Sequence, residues 1–135
     1  MGYVHLTHSS MFQISCFDVS QKYLAIITFK KVHQIISTNR EVPFHSSFKL
    51  PDLAILVAVS NSGQTAFVFE NQSIGICGSK DASECEVISM EELSIKETTI
   101  TELVYNQSGE KVYLGTDSGS VLVLDFDVSD TEVCH

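Results

Sequence analysis

The sequence predicts an all-β protein made of short antiparallel strands that recur as four-stranded meanders. Alternating or β-branched apolar runs of four to seven residues occur along the chain, and turn-forming Gly, Asn, Asp and Ser residues separate them. The same order of strands and turns is found about three times. With 44% hydrophobic residues among 135, the chain has the composition of a folded, soluble single domain.

The first repeat contains three clear strands, predicted at Ile14–Val19, Tyr23–Thr28 and Val32–Ser37. Residues 20–22 form its first turn, and its second turn includes Lys30 and Lys31.

The middle repeat is less regular. Strands are predicted at residues 53–59, 65–70 and 74–77, and Gly63 belongs to the turn between the first two. We expect the weakly marked residues 44–50 to form the opening strand of this repeat.

The last repeat is the clearest. Its strands are predicted at residues 100–105, 111–116 and 121–126, with a weaker fourth strand at 131–134. Gly109 and Gly119 lie in the two intervening turns, where glycine can take the positive φ that other residues resist.

The second turns of the three repeats are expected at residues 29–31, 61–63 and 117–119. The second interval in this alignment exceeds one repeat, and the polar, acidic residues 79–99 account for the excess as a surface loop. The repeats are therefore expected at residues 12–43, 44–78 and 100–135, with 79–99 as an insertion.

The charge of the chain is unevenly distributed. The formal net charge is −9, of which residues 1–50 contribute +3 and residues 51–135 contribute −12. Because an acidic surface repels phosphate backbones, we expect no nucleic-acid partner.

Four cysteines occur, at positions 16, 77, 85 and 134, without a C-x-x-C pair. The first residues do not have the form of a secretory signal, and no apolar run approaches the roughly 20 residues that span a bilayer. These features predict a cytoplasmic protein with reduced thiols.

Catalytic signatures are scarce. The Ser-Gly pairs at 62–63, 108–109 and 118–119 lie in predicted turns and not in a G-x-S-x-G elbow. The histidines at 5 and 8 and the final Cys-His pair do not make a supported zinc motif. We therefore expect no enzymatic activity, no metal and no cofactor; a small enzyme on a β-sandwich would need a nucleophile and base that the sequence does not supply.

Residues 100–127 (ITELVYNQSGEKVYLGTDSGSVLVLDFD) resemble a blade of a WD40-type β-propeller. On that match Gly109 and Gly119 stand at the turn glycines, and Asp125 stands at the Asp of the family's Trp-Asp signature. Leu124 replaces the tryptophan and the Gly-His pair is missing, so the blades are degenerate. The resemblance implies about three blades of an incomplete ring, since closed propellers have about 4–8.

The order of the copies is similar to the amino-terminal propellers of Hermansky–Pudlak complex and tectonin-repeat trafficking proteins. That resemblance implies a noncatalytic scaffold in endosomal and lysosomal trafficking, including the making of lysosome-related organelles, located in the cytoplasm or peripherally on endosomes. The alternative is an accessory WD-repeat subunit of an RNA-modifying or nuclear enzyme complex.

Three blades do not close a ring, so the chain is expected to be a fragment or isoform of a longer protein, or to receive further blades in trans from other subunits. The ending VSDTEVCH favours a fragment. We expect the partner surface to include Lys30, Lys31, Glu91 and Glu92, and the turn lysines of the first repeat to allow contact with anionic lipid.

Overall fold

A computed structural model describes residues 13–38, 45–78, 85–89 and 98–125 of the chain. Within these ranges the chain forms eleven strands and no helix. The strands are β1 (Ile14–Val19), β2 (Tyr23–Thr28), β3 (Val32–Ser37), β4 (His45–Lys49), β5 (Ala54–Val59), β6 (Thr65–Phe69), β7 (Ile74–Cys77), β8 (Glu86–Ile88), β9 (Ile100–Tyr105), β10 (Lys111–Thr116) and β11 (Val121–Asp125).

The strands form three antiparallel meanders that follow one another in the sequence. Sheet I contains β1 to β4, sheet II contains β5 to β8, and sheet III contains β9 to β11, each in sequential order. The predicted all-β fold of antiparallel meanders is confirmed.

Two strand placements differ from the sequence prediction. The strand expected to open the middle repeat is β4, and it pairs with β3 as the outermost strand of sheet I. β8 lies inside the expected surface loop and pairs with β7 as the outermost strand of sheet II. Both errors have one cause, since outer strands are short and carry weak apolar patterns. The expected strand at 131–134 lies outside the described residues.

The turn alignment is also wrong in the middle repeat. Residues 61–63 join β5 to β6, so Gly63 belongs to a first turn and corresponds to Gly109. The second turns are marked by Lys31, Gln72 and Gly119, with φ values of 68°, 70° and 89°. These three residues are 41 and 47 positions apart, which gives nearly uniform repeats.

Two apolar clusters join the sheets. Alternate residues of β6 point to opposite sides, so that Phe67 and Phe69 pack toward sheet I while Ala66 and Val68 pack toward sheet III. The cluster between sheets I and II consists of Ala25, Ile27, Leu50, Ala54, Val57, Val59, Phe67, Phe69 and Cys77. The cluster between sheets II and III consists of Ala66, Val68, Ile74, Ile76, Ile100, Val112, Leu114, Leu122 and Leu124.

A buried histidine lies in the first interface. His33 is fully buried, with its ring stacked on Phe48 at a centroid distance of 4.6 Å and tilted against Phe67 at 5.8 Å. Neither ring nitrogen has a hydrogen-bond partner within the described structure. Burial lowers the pKa of His33 from 6.5 to about 4, so the ring is neutral at physiological pH.

The prediction of reduced thiols is wrong for two cysteines. Cys77, the last residue of β7, forms a disulfide with Cys85, which immediately precedes β8. The antiparallel pairing of these strands places the two residues opposite each other, with their Cα atoms 4.0 Å apart. Cys16 is a free thiol, and burial raises its pKa to about 11. Cys134 lies outside the described residues.

Candidate protein-interaction surface

Because successive strands run in opposite directions, the turns lie in two groups at opposite ends of the sheets. The first turns join β1 to β2, β5 to β6 and β9 to β10, and they lie together at one end of the sheets, which we call the first-turn end. The second turns, between β2 and β3, β6 and β7, and β10 and β11, lie at the opposite, second-turn end. Because β1 lies beside β5 and β5 beside β9, the first turns of all three sheets are neighbours.

A cavity of about 440 Å³ occupies the first-turn end. It is lined by residues 18–21 of sheet I, 59–61 of sheet II and 104–107 of sheet III. These residues supply the carboxylate of Asp18, hydroxyl groups, and side-chain amides from each of the three sheets, whereas none of the lysines and histidines that the structure describes lines the cavity. The cavity wall thus combines polar groups with valine side chains, and Asp18 is the one charged group among its described residues.

Hydrogen bonds fix the cavity wall between sheets I and II. The backbone N–H of Val59 donates to Oδ2 of Asp18 at 2.9 Å, and the backbone N–H of Gln21 donates to Oδ1 of Asn61 at 2.9 Å. The hydroxyl of Ser20 donates to the carbonyl of Ser60 at 3.3 Å. Three polar contacts therefore hold the two first turns in one arrangement.

A different contact holds the third sheet. The hydroxyl of Tyr105 donates to Oε1 of Gln64 at 3.1 Å, and burial raises the pKa of this hydroxyl well above its ordinary value. Gly109 approaches the side chain of Ser60 so closely that an added Cβ would stand 3.2 Å from the serine Cβ. The first turn of sheet III is therefore packed directly against that of sheet II.

The second-turn end contains its own links. Oδ1 of Asp117 accepts hydrogen bonds from the backbone N–H of Thr99 and the hydroxyl of Thr98, both at 2.9 Å, and these bonds lower the pKa of the carboxyl group. Oε1 of Gln72 accepts from the backbone N–H of Ile100 at 2.7 Å, joining sheet II to sheet III.

All three turn glycines take a positive φ, as the sequence predicts for Gly109 and Gly119. Gly63, Gly109 and Gly119 have φ values of 90°, 78° and 89°. Asp125 ends β11, and its carboxylate lies 3.6 Å from Nζ of Lys111.

The residues expected at a partner surface do not line the cavity. Lys30 and Lys31 lie in the second turn of sheet I, at the opposite end from the cavity, whereas Lys22 lies in a first turn. The turn lysines of the first repeat therefore do not form one basic cluster. Glu91 and Glu92 lie outside the described residues.

Sequence reasoning missed the residues that build the cavity, of which Asp18 and Asn61 make the clearest contacts. The available signal was that each inner strand is followed at once by polar residues, in DVSQ, VSN and VYNQ.

Among the described residues, no histidine or cysteine lines the cavity, and its one carboxylate, that of Asp18, accepts a hydrogen bond from the backbone N–H of Val59. In the four described ranges, no group of three or more His, Cys, Asp or Glu residues could hold a metal ion. The same ranges contain no helix long and apolar enough to cross a membrane.

The structure contains two four-stranded antiparallel meanders and one three-stranded meander within the described residues. They pack face to face with their first strands innermost, which is the arrangement of a partial β-propeller with WD40-like blades. The crystal structure of HIRA(644-1017) matches with a TM-score of 0.66 and 14% identity over 92% of this chain and 40% of that one. The β-propeller domain of Cps50 (Swd1) from Myceliophteria thermophila matches with a TM-score of 0.65 and 14% identity over 87% and 40%.

A third similar structure is the WD40 domain of SCAP from fission yeast, with a TM-score of 0.54 and 17% identity over 84% of this chain and 29% of that one. The chain thus spans 40% or less of the length of each of these three structures. No protein-family model and no curated protein sequence matches the chain. The likeness establishes the fold.

Proposed function

We propose that the chain is part of a noncatalytic protein-interaction scaffold. The supporting observation is the cavity at the first-turn end, where three blades bring hydroxyl groups and side-chain amides together. Side-chain amides and hydroxyls both donate and accept hydrogen bonds, as do the backbone groups of a polypeptide. Rigid blades that present polar turns are suited to holding a protein partner.

The cellular setting we propose is endosomal and lysosomal membrane trafficking, with the chain as part of an adaptor. The resemblance of the three copies to trafficking propellers supports this setting. The charge of −12 over residues 51–135 weighs against the alternative role beside an RNA-modifying enzyme, because RNA is a polyanion.

Proximity labelling tests this proposal. The 135-residue chain would be fused to a biotin ligase in cells, and labelled proteins would be compared with those from the ligase alone. We expect enrichment of endosomal and lysosomal coat or tether proteins. Enrichment of nuclear or RNA-modifying complexes would overturn the trafficking assignment, and a labelled set identical to that of the ligase alone would overturn the scaffold proposal.

A further inference from the structure

We infer that the cavity at the first-turn end binds an extended polypeptide segment that carries a lysine or arginine side chain. This inference rests on the proposed scaffold function and adds to it the position of the site and the chemistry of its ligand.

The hydrogen-bonding capacity that remains in the cavity supports a polypeptide ligand. Oδ2 of Asp18 and Oδ1 of Asn61 are already used to fix the turns. Among the described residues, no hydrogen bond engages Oδ1 of Asp18, Nδ2 of Asn61 or the side-chain amides of Gln21 and Gln107. A primary amide offers both a donor and an acceptor, so these groups can pair with the alternating N–H and C=O groups of an extended chain.

The apolar part of the cavity also suits a peptide. Val19 and Val104 line it from sheets I and III, and each is 57% exposed. An aliphatic stem laid across them would remove apolar surface from water, and the stems of lysine and arginine provide such surface beneath a charged head. The cavity volume of about 440 Å³ falls within the roughly 300–1,000 Å³ common for ligand sites.

Local charge selects a cation over an anion. Asp18 supplies the only charge among the described lining residues, and its uncommitted oxygen is available to an incoming lysine or arginine. The nearest lysine in the sequence, Lys22, follows Gln21 in the same turn but does not line the cavity. A phosphate or carboxylate ligand would therefore face Asp18 without a compensating cation.

Fluorescence anisotropy with defined peptide pools tests the inference. The pools would be acetylated, amidated, dye-labelled hexapeptides of random sequence with the third residue fixed as lysine, leucine, glutamate or phosphoserine. We expect the 135-residue chain to bind the lysine pool about fivefold more tightly than the leucine pool, the upper range for an exposed ion pair, and the glutamate and phosphoserine pools most weakly.

Asp18→Asn is the decisive variant and Asp117→Asn is its matched control. Both aspartates accept a backbone N–H, a bond that an asparagine oxygen can keep, and both changes remove one negative charge. Asp18→Asn should abolish the preference for lysine over leucine, whereas Asp117→Asn, at the opposite end, should leave it unchanged. Asn61→Asp keeps the acceptor for Gln21 and adds a carboxylate, so it should increase the preference.

Circular dichroism of each variant would show that the fold is retained. The inference is overturned if the lysine pool does not bind, if it binds no better than the glutamate pool, or if Asp18→Asn keeps the lysine preference. Trafficking proteins could still be enriched by proximity labelling in that case, so the scaffold proposal would stand without this site.

Discussion

The ring of Phe67 on β6 covers the Cα of Gly75, its register partner on β7, so closely that a Cβ at residue 75 would overlap the ring. The absence of a side chain at Gly75 lets this ring lie between sheets I and II. There it contacts His33 and lies edge-on to Phe69 at a centroid distance of 5.2 Å.

Gly75→Ala should therefore destabilise the protein by about 1–3 kcal/mol, the usual cost of overpacking a core. Urea unfolding monitored by circular dichroism measures the change. The double variant Gly75→Ala with Phe67→Leu should be less destabilised than the sum of the two single variants, because leucine leaves room for the added methyl. Strict additivity would show that the two residues are not coupled.

His33 should make stability depend on pH. Its pKa in the folded state, about 4, is lower than its ordinary value of 6.5, so protons bind preferentially to the unfolded chain. The stability that His33 contributes is complete above about pH 6.5 and decreases as the pH falls toward 4, by up to about 1.4 kcal/mol per pH unit.

Unfolding free energies measured in urea between pH 7.5 and 4.5 would show this decrease. His33→Leu replaces the imidazole by an apolar side chain of similar size that cannot be protonated. The unfolding free energy of this variant should therefore fall less over the same pH range. Equal pH dependence of the two proteins would contradict the assignment and would attribute the decrease to carboxylates.

The positive φ values of the second turns predict opposite effects at two corresponding positions. Gly119 has φ of 89°, and a Cβ at this position would have no described atom within 4 Å, so backbone strain of about 1–2 kcal/mol is the expected cost of Gly119→Val. Lys31 already carries that strain at φ of 68°, so Lys31→Gly should raise the melting temperature. Unchanged thermal unfolding of both variants would argue against the turn alignment.

The disulfide between Cys77 and Cys85 should stabilise sheet II. The two cysteines are eight positions apart in the sequence. A cross-link over this distance stabilises the folded state by about 2–3 kcal/mol, because it removes conformational entropy from the unfolded chain. Adding a dithiol reductant should lower the melting temperature of the wild type. Cys85→Ser should melt near the reduced wild type and show no response to reductant, and a response equal to that of the wild type would exclude this bond as the cause.

The sequence predicted the inner strands well because they carry strong apolar patterns. The innermost strands β5 and β9 and the middle strand β10 are each followed by a turn that contains glycine, and their predicted limits agree with the structure to within one residue. The outer strands β4 and β8 are half-exposed and contain few apolar residues, so pattern alone could not assign them to a sheet.

Local sequence pattern was also insufficient to align the turns of the middle repeat and to find the candidate site. Lys31 and Gln72 take a positive φ without being glycine, so nothing in the local sequence marks their turns as equivalent to that of Gly119. The cavity depends on pairs such as Asp18 with Val59, which are 41 residues apart. Such a pair becomes visible only when the spacing between neighbouring blades is known.

The sequence separation of the contacts between sheets has a consequence for folding. Among the described residues, the side-chain hydrogen bonds that join neighbouring sheets link positions 28 to 41 apart, and none reaches over two repeats. Folding rates of small proteins fall as contacting residues become more distant along the chain. Each blade here can dock on its predecessor as soon as its own meander has formed. The chain can therefore be lengthened by whole blades without lengthening the loop that any one docking step must close.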